Sequence, residues 1–157
     1  MALRAISRNR QQAARQEAVW QVLLAYPEAW RAWQREAARS DPAIWLVRDP
    51  ARMQQALVMA AMSGPGSWRR QTLALLAVIG PVMALPPMER EIIRWRCWEG
   101  VGMAQIVQRI HCSRAQGYRW QERAVNRLVS WGVGQTRRRT QATGRWTQLT
   151  LWGGEDA

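Results

Sequence analysis

At 157 residues the chain is long enough for one compact domain, or for a small domain with a helical extension, and too short for a large enzyme fold. Its 23 basic residues are all arginine, against 11 acidic ones, and the resulting net charge of +12 points to a polyanionic partner. With no lysine and no phenylalanine beside 11 tryptophans, part of the arginine excess is a compositional bias, so position says more than the total.

Residues 1–12 carry three arginines and no apolar stretch, which argues against a secretory signal and for a reducing, intracellular setting. Further on, Val19, Leu23, Tyr26, Trp30, Trp33 and Ala37 step by three and four, which predicts one apolar stripe along a helix. Pro27 falls inside it. Either the helix kinks there or a second helix starts with Pro27 in its first turn and Glu28 near the positive end of its dipole.

Asp41-Pro42 and Asp49-Pro50 each place a capping side chain before a proline, predicting a short turn at 42–47 and a helix over 50–62. The run 63–67 reads as a loop, with Ser67 capping a helix from Trp68 to Ala84 that kinks at Gly80-Pro81. The uncharged run 71–88 is broken by Gly80, Pro81, Pro86 and Pro87, whereas a membrane span needs about 20 continuous apolar residues, so it reads as a buried helix. No stretch alternates apolar and polar residues in the manner of a strand. The fold class is all-α.

From Leu85-Pro86-Pro87 a helix follows with Leu85, Met88, Ile92 and Trp95 on one face, acids in its first turn and a stop at Glu99-Gly100-Val101-Gly102. A second helix spans 103–110 and buries Met103, Ile106, Val107 and Ile110. His111-Cys112 makes a tight turn, and Ser113 caps a third helix whose inward stripe is Gly117, Trp120, Ala124, Leu128 and Trp131. Residues 103–131 therefore read as a helix-turn-helix. Outside the stripe stand Arg114, Ala115, Gln116, Tyr118, Arg119, Glu122 and Arg123. Arginine grips guanine and glutamine grips adenine through paired hydrogen bonds, so Arg114, Gln116 and Arg119 are the candidate base readers. Arg109, Arg123 and Arg127 suit phosphates, with Ser113, Ala115 and Tyr118 as further contacts. Between Gln105 and Trp146 nine arginines stand against one acid, Glu122.

After Trp131 the glycines at 132, 134, 144, 153 and 154 predict a mobile basic tail over 132–157, whose Arg137, Arg138 and Arg139 either hold phosphate or are simply solvated. Residues 146–152 are left open between a short strand and a clip. Cys97 and Cys112 with the lone His111 offer no disulfide framework and no metal-ligand spacing; both thiols read as core fillers, with no metal and no cofactor expected. Trp20, Trp30, Trp33, Trp95, Trp120 and Trp131 fall on inward faces, which favours core filling over base stacking; Trp45, Trp68, Trp98, Trp146 and Trp152 are undecided. No acid pair or glycine-rich phosphate loop marks an enzyme.

Residues 85–131 resemble the C-terminal helix-turn-helix of sigma-70 factors, region 4. The likeness rests on Leu85-Pro86-Pro87 with Glu89-Arg90-Glu91-Ile92-Ile93, on Glu99-Gly100, on Gln105-Ile106-Val107 with Ile110, and on Ser113-Arg114 leading to Arg123-Ala124. Tyr118-Arg119-Trp120 is similar to the recognition helix of RinA/ArpU-type phage late-transcription regulators, with Gly117 where a small residue falls. His111 departs from a usual glycine, and Cys112 from a usual isoleucine or valine. The resemblance implies an N-terminal helical region (1–66), a connecting helix (67–84) and a DNA-binding domain (85–131). It also implies a sequence-specific regulator, a late-gene activator, that binds double-stranded DNA and acts with host RNA polymerase. A homodimer is an open option. The alternative is a phage small terminase subunit recognising packaging-site DNA. A stand-alone sigma-like factor would need a basic-aromatic melting segment that residues 1–80 lack.

Overall fold

The structure, a computed structural model, describes residues 2–63 and 66–135, and the backbone alone of 139–140 and 146–147. The protein is all-helical. Among the described residues its α-helices are α1 (Ala2–Ser40), α2 (Pro50–Ser63), α3 (Arg69–Ala84), α4 (Pro87–Ile93), α5 (Met103–Ile110) and α6 (Arg114–Ser130). A minimal antiparallel pairing joins β1 (Arg139–Thr140) to β2 (Trp146–Thr147). Of the undecided stretch 146–152, the first two residues are thus in a strand and the remainder lies outside the described residues.

The stripe on α1 is buried at every expected position, from Val19 to Ala37. The helix runs through Pro27, so no second helix starts there. Proline has no N–H to give the carbonyl four residues back, that of Leu23, and an unpaired buried carbonyl costs free energy. The indole of Trp98 replaces the missing donor: its Nε1–H donates to the Leu23 oxygen at 3.1 Å, and its ring stacks on Tyr26 at 4.8 Å between centroids. Trp98→Phe retains a ring and leaves that carbonyl unpaired. It is expected to lower unfolding free energy by about 1–3 kcal/mol, read as an earlier urea midpoint at unchanged m-value.

The two aspartate-proline signals act as caps. The Ala43 N–H donates to Asp41 Oδ1 at 3.2 Å and opens a 3-10 turn over Pro42–Leu46, while the Arg52 N–H donates to Asp49 Oδ2 at 3.3 Å at the start of α2. Gln34, buried on α1, holds the 3-10 turn in place by donating to the carbonyls of Ile44 and Val47 at 2.8 and 3.2 Å.

Ser67 does not cap α3. A 3-10 turn, Gly66–Trp68, precedes the helix, which begins at Arg69 with Trp68 in the cap position and no side-chain cap bond. Docking of Trp68 against Trp33, with centroids 5.7 Å apart, sets this backbone. Thr72 completes the arrangement by accepting from Trp33 Nε1 at 2.8 Å and donating to the Trp68 carbonyl at 3.0 Å. Helix α3 continues through Pro81 to Ala84, and no helix among the described residues is long and apolar enough to cross a membrane.

The expected single face of the next helix is split. Helix α4 ends at Ile93 and one π-helical turn, Arg94–Trp98, follows, closed by the Glu99 N–H donating to the Arg94 carbonyl at 3.1 Å. Leu85 joins Ile93 and Cys97 in the main core, whereas Met88, Ile92 and Trp95 face a second, smaller cluster. Within the core, burial pushes the Cys97 thiol up to about 12. Cys112 is half-buried against the smaller cluster.

The main core runs from Val19 on α1 through Leu57, Leu75, Val78, Ile79 and Ile93 to Leu128, Val129 and Val133. Residues of the expected N-terminal region, connecting helix and DNA-binding domain thus share one core. Trp131, expected to point inward, is 47% exposed, and Val133 fills the inward place instead. The cause is the end of α6. Gly132, at φ +79°, turns the chain; its N–H donates to the Val129 carbonyl and that of Val133 to the Leu128 carbonyl, both at 3.0 Å. This pair of bonds is a Schellman motif, and it swings Val133 back onto Leu128.

Candidate nucleic-acid interface

Helix α5 is held by the smaller cluster, in which Met103, Ile106 and Val107 are buried with Ile92 and Ile110 packs alongside. It ends at His111, whose φ and ψ of 53° and 50° are left-handed, a conformation that costs an L-residue about 1–2 kcal/mol. That strain turns the chain in three residues. Ser113 then caps α6, its Oγ accepting from the Gln116 N–H at 3.1 Å.

The two helices meet at Gly117. A Cβ there would lie 2.7 Å from Met103 Sδ and 2.8 Å from Val107 Cγ1, so only glycine permits this approach of α6 to α5. With Gly117, Ala124 and Leu128 buried and Trp120 half-buried, the opposite side of α6 is fixed in orientation. Arg114, Ala115, Tyr118, Arg119, Glu122 and Arg123 are exposed on it, and Gln116 is half-buried. The guanidinium groups of Arg114, Arg119 and Arg123 form no ion pair with any described residue.

Two other candidate arginines have partners. Arg109 lies over the Trp95 ring at 5.7 Å, a cation–π contact that places its charge at the end of α5. Arg127 Nε donates to Glu89 Oε2 at 2.8 Å; the Glu89 side chain is 6% exposed and that of Arg127 is 49% exposed. Arg127 thus neutralises a buried carboxylate, which would otherwise be an uncompensated charge. Thirty-eight residues separate the two, and no local pattern announces the pair. The residues that sequence reasoning passed over are Gln12, Gln16 and Asn126, which join α1 to α6: both glutamine amides donate to Asn126 Oδ1, at 3.5 and 2.8 Å.

Of the tail candidates, Arg137 and Arg138 lie outside the described residues, and Arg139 is described only as backbone in β1. Among the described residues no group of three or more His, Cys, Asp or Glu side chains could hold a metal ion. Compared with known protein families, curated proteins and solved structures, the chain finds no match.

Proposed function

We propose that this chain is a sequence-specific DNA-binding regulator of transcription, of the phage or prophage late-gene activator kind, acting with bacterial RNA polymerase in the host cytoplasm. The observation that carries the reading is the outer face of α6. A helix capped by Ser113 and seated on α5 through Gly117 presents unpaired arginines from its first three turns, the part of a recognition helix that meets base edges in the major groove. The resemblance of the motifs in residues 85–131 to sigma region 4 favours the same reading.

In this arrangement Arg114, Gln116 and Arg119 read bases. Ser113, Ala115, Tyr118 and Arg123 line the groove. Arg109, steadied by Trp95, adds positive charge toward phosphates; the charge of Arg127 is balanced by Glu89, and its half-exposed guanidinium offers a phosphate hydrogen-bond donors rather than net charge. The test begins by selecting bound sequences from a random duplex pool. On the selected site Arg119→Ala is expected to lose about 1–3 kcal/mol of affinity, with binding to random duplex largely kept. Equal loss on both would remove Arg119 as a base reader. Failure of the parent chain to bind any duplex would remove the DNA reading altogether.

A further inference from the structure

Apart from the Gln12 amide, which meets Asn126, the first four turns of α1 lie outside the core. Residues 2–15 are exposed throughout, and they extend the helix about 20 Å beyond the last part of α1 that touches the core. Isolated helices of this length are marginal in water, so a partner surface would stabilise the segment. Its charges name the chemistry of that partner. Arg4, Arg8, Arg10 and Arg15 stand there with no acid before Glu17, and none forms an ion pair with a described residue.

Two contacts fix the direction in which the segment points. Gly134, just past α6, sits against the backbone of Ala18, while Asn126, eight residues earlier, meets Gln16 and Gln12. Moving toward the start of α1 therefore also moves toward the start of α6, and the N-terminal ends of both helices lie at the same end of the pair. Arg8 and Arg4 continue one and two turns beyond Gln12; Arg123 and Arg119 precede Asn126 by one and two turns. Arg4, Arg8 and Arg15 also stand fifteen, eleven and four residues before the buried Val19. Eleven and four residues are close to whole turns and fifteen is about 60° past one, so the three stand on the side of α1 that carries Val19, whose backbone lies against Gly134 just past α6.

We infer that residues 2–15 are a DNA-backbone arm, in which Arg4 and Arg8 bind phosphates of the duplex whose bases the outer face of α6 reads. The inference rests on the DNA reading proposed above. Exposed Leu3, Ile6 and Leu24 project from other sides of α1, where a second copy of the chain is the competing occupant.

The full chain and its R4Q/R8Q variant are titrated with a random-sequence duplex over a range of salt concentrations. Glutamine keeps helix propensity, and neither position packs on the core. Two lost phosphate contacts should reduce the slope of log K against log salt by about 2, while the charge-matched R31Q/R35Q, at exposed positions toward the other end of α1, leaves that slope unchanged on the same duplex. An unchanged slope in R4Q/R8Q overturns the arm and leaves the reading of α6 standing. No binding by the parent chain overturns that reading, and the arm with it. A reduced slope accompanied by dissociation of a dimer in light scattering assigns the segment to a second copy and also overturns the arm.

Discussion

Replacing Gly134 by valine is expected to destabilise the protein by about 2–5 kcal/mol, the largest loss from any single substitution considered. Two penalties combine. Gly134 has φ +72°, where an L-residue pays about 1–2 kcal/mol. A Cβ would also stand 2.8 Å from both the carbonyl carbon and oxygen of Ala18 and 3.0 Å from the Val19 nitrogen, and a helix backbone cannot move aside as a side-chain tip can. Forced overpacking of this kind costs about 1–3 kcal/mol. Gly132→Ala separates the terms: its φ is +79°, but nothing lies within 4 Å of the added carbon, so it should lose only the backbone strain of about 1–2 kcal/mol. Urea denaturation of the two variants beside the parent measures both. Equal losses would mean that the contact with Ala18 contributes nothing.

Gly117→Val should act on binding more than on stability. Its Cβ would overlap Met103 Sδ and Val107 Cγ1. The flexible thioether can yield, but the β-branched Val107 has little freedom on its helix. The strain of about 1–3 kcal/mol is partly offset by removing glycine from a helix interior, worth up to about 1 kcal/mol. The outlet for the remainder is separation of α6 from α5, which displaces Arg114, Gln116 and Arg119 together. The expected result is a folded protein with near-parent thermal stability that has lost most of its preference for the selected site. Val107→Ala in the same chain opens the space and should restore that preference, a coupling that independent sites would not show. Full specificity in Gly117→Val alone would mean that α6 need not sit so close.

Where a feature depends on spacing within one helix, the sequence made it readable. The stripe from Val19 to Ala37, the caps at Asp41, Asp49 and Ser113, and the outward set on α6 all follow from the helical repeat and local hydrogen bonding. What depended on distant partners was hidden. Pro27 could be read as a kink or a start because the donor that replaces its N–H, Trp98, comes from 75 residues away from Leu23. Ser67 lost its capping role to an aromatic contact with α1, and Trp131 lost its inward place to Val133 through the Schellman turn. Leu85 left the face it was expected to share with Met88, Ile92 and Trp95 because it stands before α4, at the end of α3, where the helical repeat of α4 does not apply. At the candidate interface the outward residues were legible, whereas the tethering of Arg127 to Glu89 and of Asn126 to α1 was not.

The core that joins Val19 to Val133 also bears on how the chain is made. Helix α1 leaves the ribosome well before α6, yet part of its apolar face is covered only by Val125, Leu128, Val129 and Val133. At typical synthesis rates that interval is on the order of 10 s. Throughout it the nascent chain carries an uncovered strip of valine, leucine and tryptophan that α3 can close only in part. Closing it requires long-range contacts, the slow kind in folding. Helix α1, made before the residues that cover it, is therefore among the last to be fully enclosed, and a chain halted before residue 125 would expose the surface on which its stability depends.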